Sequence, residues 1–459
     1  MARWTLITIL ATLAACQPPP EAVEGPIERP EFSLATDAAY DFSTIAAYDG
    51  DHQAVYDYID AHERDHVAAI QRWLRQRSIS AQNDGVVEMA EMLRGDLESM
   101  GFQEAELVPT DGHPGVWGYY DAGADKTLAV YLMYDVQPVN PEDWESPPFE
   151  AQLIDHELGK VLMARGATNQ KGPQRAFLNA LESIIAVDGK LPVNIMVAAE
   201  GEEELGSPHY HQIIDAYEDR LKTADGALFP FNSQSPDGNI NMILGVKGIV
   251  YFEMEAHGGD WGGPSRAEIH GSYKAIVDSP VWRLVKALSL LTSPDGNTIL
   301  VPGYYDGIIP PNEEESQLIN AGLEQINDAQ LQEILSVSRW VDDKAGVDAQ
   351  IELLYQPTLN IDGIWGGYTE EGVKTILPHM ATAKVDSRLP PGLDPDAALG
   401  KIRAFLDANG FSDIELRKLG GYPAAQTSVE APAVRAALSV FFKYADDVSV
   451  KPRIAGSAP

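Results

Sequence analysis

Cysteine is nearly absent from this chain. Cys16 is the only one in 459 residues, so no internal disulfide can form. Basic residues are also scarce: 33 Lys and Arg face 69 Asp and Glu, a formal net charge of −36. Neutralising phosphates takes clustered Lys and Arg, so the composition argues against nucleic acid as a partner. Beyond the N-terminus no segment approaches about 18 unbroken apolar residues, the length that spans a bilayer. A Gly-x-Ser-x-Gly elbow, a phosphate loop and a dinucleotide fingerprint are missing too, which leaves several other enzyme classes without support.

What is present begins at the N-terminus. Arg3 gives a short positive start, and Trp4 to Leu13 is hydrophobic but too short to cross a bilayer as a helix. Leu13-Ala-Ala-Cys16 resembles a bacterial lipobox, whose cysteine becomes the first mature residue and carries lipid. The expectation is an exported protein, lipid-anchored at Cys16 to a bacterial membrane facing the periplasm or the exterior, with residues 1–16 as the signal peptide. Gln17 to Phe32 is rich in Pro and Glu, so residues 17–36 are expected to be an extended tether.

Helical periodicity begins near Glu63, with His66, Ile70, Trp73 and Leu74 on one face. A second helix is expected from Val86 to Met100, with Gly101 as its stop. Leu128 to Leu132 and Leu191 to Ala199 read as strands, and Gly172 to Ala186 as a helix. This alternation predicts an α/β sheet between helices. After Gly245-Val-Lys-Gly248 the pattern changes. Ile249 to Glu255 alternates, Val281 to Leu291 and Asp396 to Ala408 read as helices, and Ala381 to Val385 as a strand. Two helices on a small antiparallel sheet would fit, with a return to the first domain near Gly421.

The densest chemistry is Glu200-Gly-Glu-Glu-Glu-Leu-Gly-Ser207, four carboxylates in five residues after an apolar strand. Such crowding raises each neighbour's pKa. It suits either a cation or proton-transfer site, or an acidic cap on a following helix. Upstream lie Tyr134-Asp-Val-Gln-Pro138, Trp144, Pro147-Pro148-Phe149 and Ala164-Arg-Gly-Ala-Thr-Asn-Gln-Lys-Gly-Pro173. In this order and spacing the motifs resemble the aminoacylase–carnosinase–carboxypeptidase G family of di-zinc peptidases, from about Glu63 onward. The resemblance implies an α/β/α catalytic domain in two parts, residues 37–245 and 422–459, with an inserted α+β lid and dimerisation domain over 246–421. It also implies a homodimer.

Carried over residue by residue, the resemblance implies Glu203 as general base and Glu204 as a metal ligand. The family's first histidine ligand falls at Met133, its bridging aspartate at Asn169 and a further aspartate ligand at Asn232. Its last histidine falls beyond Pro459. Asp135 matches the aspartate that orients the missing histidine, and it joins the candidate catalytic set. His270 matches a lid histidine that reaches the partner's site to stabilise an oxyanion. Thr375, Arg388 and Ser457 match substrate-binding positions, Arg388 as a carboxylate clamp. His209 and His211 have no clear part and are expected at the surface. Zinc is the family's cofactor, yet Met133, Asn169 and Asn232 lead to the expectation that no full zinc pair is held. The implied activity is cleavage of an amide or peptide bond in a small peptide or acyl-amino acid bearing a carboxylate. A non-catalytic lipoprotein that binds such ligands is the alternative.

Overall fold

A computed structural model describes residues 27–231, 234–235, 238–445 and 447–458. Cys16 and Asn232 lie outside the described residues. Two sheets organise the rest. The larger has five strands in the order Glu104–Val108, Gly115–Tyr120, Asn194–Glu200, Thr127–Met133, Gly226–Leu228. Thr127–Met133 and Asn194–Glu200 run parallel, with Met133 beside Glu200 at their ends. Every residue of Asn194–Glu200 is buried, which is why this stretch reads as a continuous apolar run rather than an alternation.

Helices cover both faces. Trp73 of Glu63–Arg75, Leu93 and Leu97 of Val86–Ser99 and Leu178 of Lys171–Asp188 pack on Leu132 and Val197. On the other face Ile213 of Tyr210–Leu221 meets Trp117, Met196 and Ala198. In Val86–Ser99 the buried residues Val86, Met89, Ala90, Leu93 and Leu97 form one helical stripe. Gly101 then takes φ +87° just past the helix end, a conformation that L side chains rarely adopt.

The smaller sheet is antiparallel, in the order Asn360–Trp365, Met380–Leu389, Gly248–His257, Glu415–Tyr422. Val250, Phe252, Met254 and Ala256 pack under helices Pro280–Leu291 and Pro395–Ala408, whose Leu284, Ile402 and Leu406 are fully buried. Burying each of these side chains contributes about 1.5–3 kcal/mol. The chain enters this unit through Gly245–Val246 and leaves through Ala425–Gln426. The two segments pair with each other, so the crossings are tied together. The expected α/β/α domain with an inserted α+β unit is therefore the fold.

One expectation is corrected. Residues 29–36 are not a free tether. Arg29 pairs with Asp342 and Glu352, Gln356 donates to the Pro30 carbonyl, and Phe32 and Leu34 pack on Ile319, Ile351, Leu354 and Tyr355. Apolar residues among the prolines supply the anchor that composition alone conceals. Part of the expected lid also touches the first domain. Leu318, in helix Glu313–Ala321, packs with Leu244, Val429, Leu438 and Val450, and Glu315 forms a buried ion pair with Arg453. Residues about 313–356 thus brace the first domain.

Candidate active site

The parallel strands Thr127–Met133 and Asn194–Glu200 end side by side, and chains leaving parallel strand ends form the usual ligand crevice of an α/β sheet. Asp135 follows one strand and the acidic turn follows the other. The turn's four carboxylates divide by task. Glu200 is buried, and its Oε1 accepts hydrogen bonds from the Tyr131 and Ser207 hydroxyls, both at 2.8 Å. Glu202 is buried and bonds His209 Nδ1 at 2.6 Å. These two hold the turn, which leaves Glu203 and Glu204 for chemistry. His209 is thereby a partner of Glu202, and His211 is exposed, as expected.

Asp135 is fully buried. Its Oδ1 accepts the Glu203 backbone N–H and its Oδ2 that of Glu204, each at 3.1 Å. Both oxygens brace the acidic turn. Burial pushes its pKa up to about 7, with the Glu204 charge adding to the rise. Burial likewise pushes Glu203 up to about 8, reinforced by Glu204 and Asp135, while Arg388 pulls it back. Burial also raises Glu204, offset by hydrogen bonds from Gln137 and Asn169 and by the Arg165 charge.

Around Glu204 the polar groups satisfy one another. Asn169 Nδ2 donates to its Oε1 and Gln137 Nε2 to its Oε2, both at 2.9 Å. Gln170 Nε2 donates to Asn169 Oδ1 at 2.6 Å. Met133 is buried at the strand end, at the position where the resemblance leads one to expect a histidine.

On the lid side Arg388 lies on Met380–Leu389. Its Nε faces Asp386 at 3.2 Å and its Nη1 donates to Ser457 Oγ at 3.0 Å. Ser457 in turn donates to the Gly248 carbonyl at 3.1 Å, bridging the two units. Burial and the Glu203 charge raise the pKa of Tyr422, and the Arg388 charge lowers it. His270 and Thr375 form a separate pair on the lid. His270 Nδ1 bonds the Ser272 hydroxyl at 2.8 Å and its Nε2 faces Thr375 Oγ1 at 3.3 Å. Within one chain, then, Glu203, Arg388 and Ser457 are brought together, while Thr375 groups with His270. Tyr422, Gln137 and Arg165 were missed in sequence. The last two stand inside quoted motifs, and Tyr422 follows the Gly420-Gly421 pair with no motif of its own.

Residues 244–413 match the peptidase dimerisation domain of the M20 family. The solved M20 family metallo-carboxypeptidase Sso-CP2 from Sulfolobus solfataricus is 33% identical, superposes with a TM-score of 0.75, and is covered to 87% by 86% of this chain. This chain belongs to the M20 peptidase family. The Beta-Ala-His dipeptidase of Homo sapiens is 29% identical over 381 residues, 77% of this chain and 71% of that protein. The Cys-Gly metallodipeptidase DUG1 of Candida albicans is 28% identical over 364 residues, 74% and 72% of the respective chains. As an M20 member the protein is a hydrolase of the peptidase type.

M20 membership implies a metal, typically zinc. Of the described positions where the resemblance puts ligands, Met133 and Asn169 carry neutral side chains. A buried thioether is a soft ligand, poorly matched to zinc among oxygen donors. Asn169 turns its N–H toward Glu204, and its carbonyl oxygen is taken by Gln170. Among the described residues one other group has metal-ligating geometry: Glu255, His257 and Glu415, whose ligand atoms lie within 4.8 Å of one another. It sits on the lid sheet, six residues along the Gly248–His257 strand from the position paired with Arg388, or about 20 Å.

Proposed function

We propose that this M20 protein hydrolyses the amide bond of a small peptide or acyl-amino acid with a free carboxylate. The observation that carries this reading is Arg388, held by Asp386 and Ser457 and close enough to the buried Glu203 for its charge to lower that carboxyl's pKa. Arg388 binds the substrate carboxylate, bidentately if its fork is free to turn. Glu203 takes a proton from the attacking water and returns it to the leaving amine. A screen of amides with and without a free carboxylate, run on wild type and Glu203→Gln, tests this. Turnover confined to the carboxylate-bearing set and lost in the variant supports it. Turnover that ignores the carboxylate defeats it.

A second reading, binding without turnover, is favoured by the amide contacts on both oxygens of Glu204. It predicts saturable binding of the same ligands with no product at any enzyme concentration.

His270 and Thr375 are proposed to complete the site of a second copy, since within one chain they bond to each other and to Ser272. The lid offers a surface for such a dimer. Strand Asn360–Trp365 is an edge of its sheet, with Ile361, Ile364 and Trp365 exposed. Unpaired edges with apolar side chains invite a partner.

Export and a lipid anchor at Cys16 are proposed from the lipobox-like Leu13-Ala-Ala-Cys16 alone. No helix among the described residues is long and apolar enough to cross a membrane. One acyl chain holds a protein only marginally, so more than one is expected. Cys16→Ser should move the protein from the membrane to the soluble fraction, and identical fractionation would refute the anchor.

A further inference from the structure

Two-metal hydrolases hold their ions with anionic oxygens whose lone pairs are free to point inward. Here the corresponding atoms are engaged elsewhere. Both oxygens of Glu204 accept amide N–H groups at 2.9 Å. Asp135, which the resemblance does not make a ligand, holds the turn beside them by accepting backbone N–H groups at 3.1 Å on both oxygens. The Asn169 carbonyl oxygen accepts from Gln170 at 2.6 Å. Gln137 also donates to the Glu204 backbone carbonyl at 3.0 Å, which fixes the amide in place. Gln170, Asn169, Glu204 and Gln137 thus form one continuous chain of donors and acceptors. Glutamine and asparagine side chains can close such a chain because each carries both a donor and an acceptor end. A second aspartate at position 169 could not. It would set two carboxylates against each other, a repulsion that a bound cation or a shared proton would relieve.

We infer that this centre is built to stand without a zinc pair, the Gln170–Asn169–Glu204–Gln137 chain of amides and carboxylate filling the role that the ions fill in M20 metallopeptidases. The consequence is that Asn169 and Met133 are the residues that keep zinc out. Restoring an aspartate and a histidine there returns the inward lone pairs and the anionic bridge.

The test uses the full chain and zinc alone as the probe, with stoichiometry by elemental analysis after dialysis and zinc-induced change in melting temperature as two readouts. Wild type is expected to keep well under one zinc per chain and to melt at the same temperature with or without micromolar zinc. Asn169→Asp alone is expected to lower the melting temperature without zinc and to recover it with zinc. Met133→His with Asn169→Asp is expected to retain at least one zinc more than wild type. Because Met133 is buried, the single Asn169→Asp variant keeps the test decisive if the double variant fails to fold. Two zincs retained by wild type, and lost in Glu204→Ala, would overturn the inference. So would an Asn169→Asp variant indifferent to zinc in both readouts. A zinc-loaded wild type would leave the proposed peptidase activity intact and stronger, so the two readings fail separately.

Discussion

Around Glu204 the polar side chains face one another, whereas around Arg388 they hold a charge that faces the cleft. On the strand-end side, Asn169 and Gln137 cover both carboxylate oxygens. On the lid side, Asp386 and Ser457 each hold one edge of a guanidinium whose side chain is still 37% exposed. In the first arrangement each carboxylate oxygen already accepts an amide N–H. The second has an open cationic fork for an anion. The two sides of one crevice have therefore been kept for different reasons. Binding a carboxylate needs only the lid side, while splitting an amide needs both. The comparison teaches that recognition can persist where the usual means of activating water has been rebuilt.

The largest expected effect lies at the junction of the two sides. Glu203→Gln keeps size and hydrogen bonding but cannot accept a proton. Turnover should fall by about 100- to 10,000-fold with ligand affinity little changed. Glu204→Gln sharpens the point. In a zinc enzyme it would remove a ligand and abolish activity; here it turns one of two accepting oxygens into a donor, which a flip of a neighbouring amide can accommodate, and should cost far less than Glu203→Gln. Steady-state kinetics on both variants would decide it, and equal losses would place a metal back at Glu204.

Next comes the lid side. Arg388→Ala leaves Ser457 and Asp386 without their partner and should weaken binding of a carboxylate ligand by about 2–5 kcal/mol. Arg388→Lys should rescue only part of this, because an ammonium cannot reproduce the planar fork. Calorimetry with a non-hydrolysed analogue measures both. Unchanged affinity in Arg388→Ala would break the division between a closed and an open side.

The lid edge ranks third. Ile364→Lys places a charge on the exposed strand Asn360–Trp365 and should weaken self-association by about 2 kcal/mol or more if that edge is a central contact. Light scattering across a dilution series reads the shift. A wild type that is monomeric at micromolar concentration would remove the proposed role of His270 and Thr375 in a second copy's site.

Much of this was legible in the sequence, for physical reasons. The helices near 63–75, 86–99, 280–291 and 395–408 carry apolar stripes, and the strands near 127–133 and 194–200 are apolar in their interiors because both faces are covered. The positions of Glu203, Glu204, Met133 and Asn169 could be placed because each sits in a motif of fixed spacing. What escaped were contacts that close over long separations. Phe32 docks beside Tyr355, and Glu315 pairs with Arg453, without any local periodic signal. The same holds for Asp135, whose local motif suggests a side-chain partner while the fold turns it onto the backbone of residues 203 and 204. Tyr422 is near the base only because the lid's last strand ends there.

The smallest predicted effect concerns Glu200, which sits behind the closed side and does no chemistry. Burial pushes its pKa up to about 8, with Asp135 and Glu203 adding to the rise and the Tyr131 and Ser207 hydroxyls opposing it. In the unfolded chain a glutamate titrates near about 4.3. Between these values the folded state binds more protons than the unfolded state, so stability falls as pH rises. The contribution is fully present below about 4.3 and is lost as pH passes about 8. Glu200→Gln stays neutral throughout and can still accept from Tyr131 and Ser207 through its carbonyl oxygen. It should match wild type near pH 5 and melt higher above pH 8, by an amount on the order of 1–3 kcal/mol. Thermal melts at pH 5, 7 and 9 measure the divergence. Parallel curves for the two proteins would mean that Glu200 is charged in the folded state at every pH tested. The crowded turn would then be stabilised by a cation after all, and the contrast between its two sides would collapse.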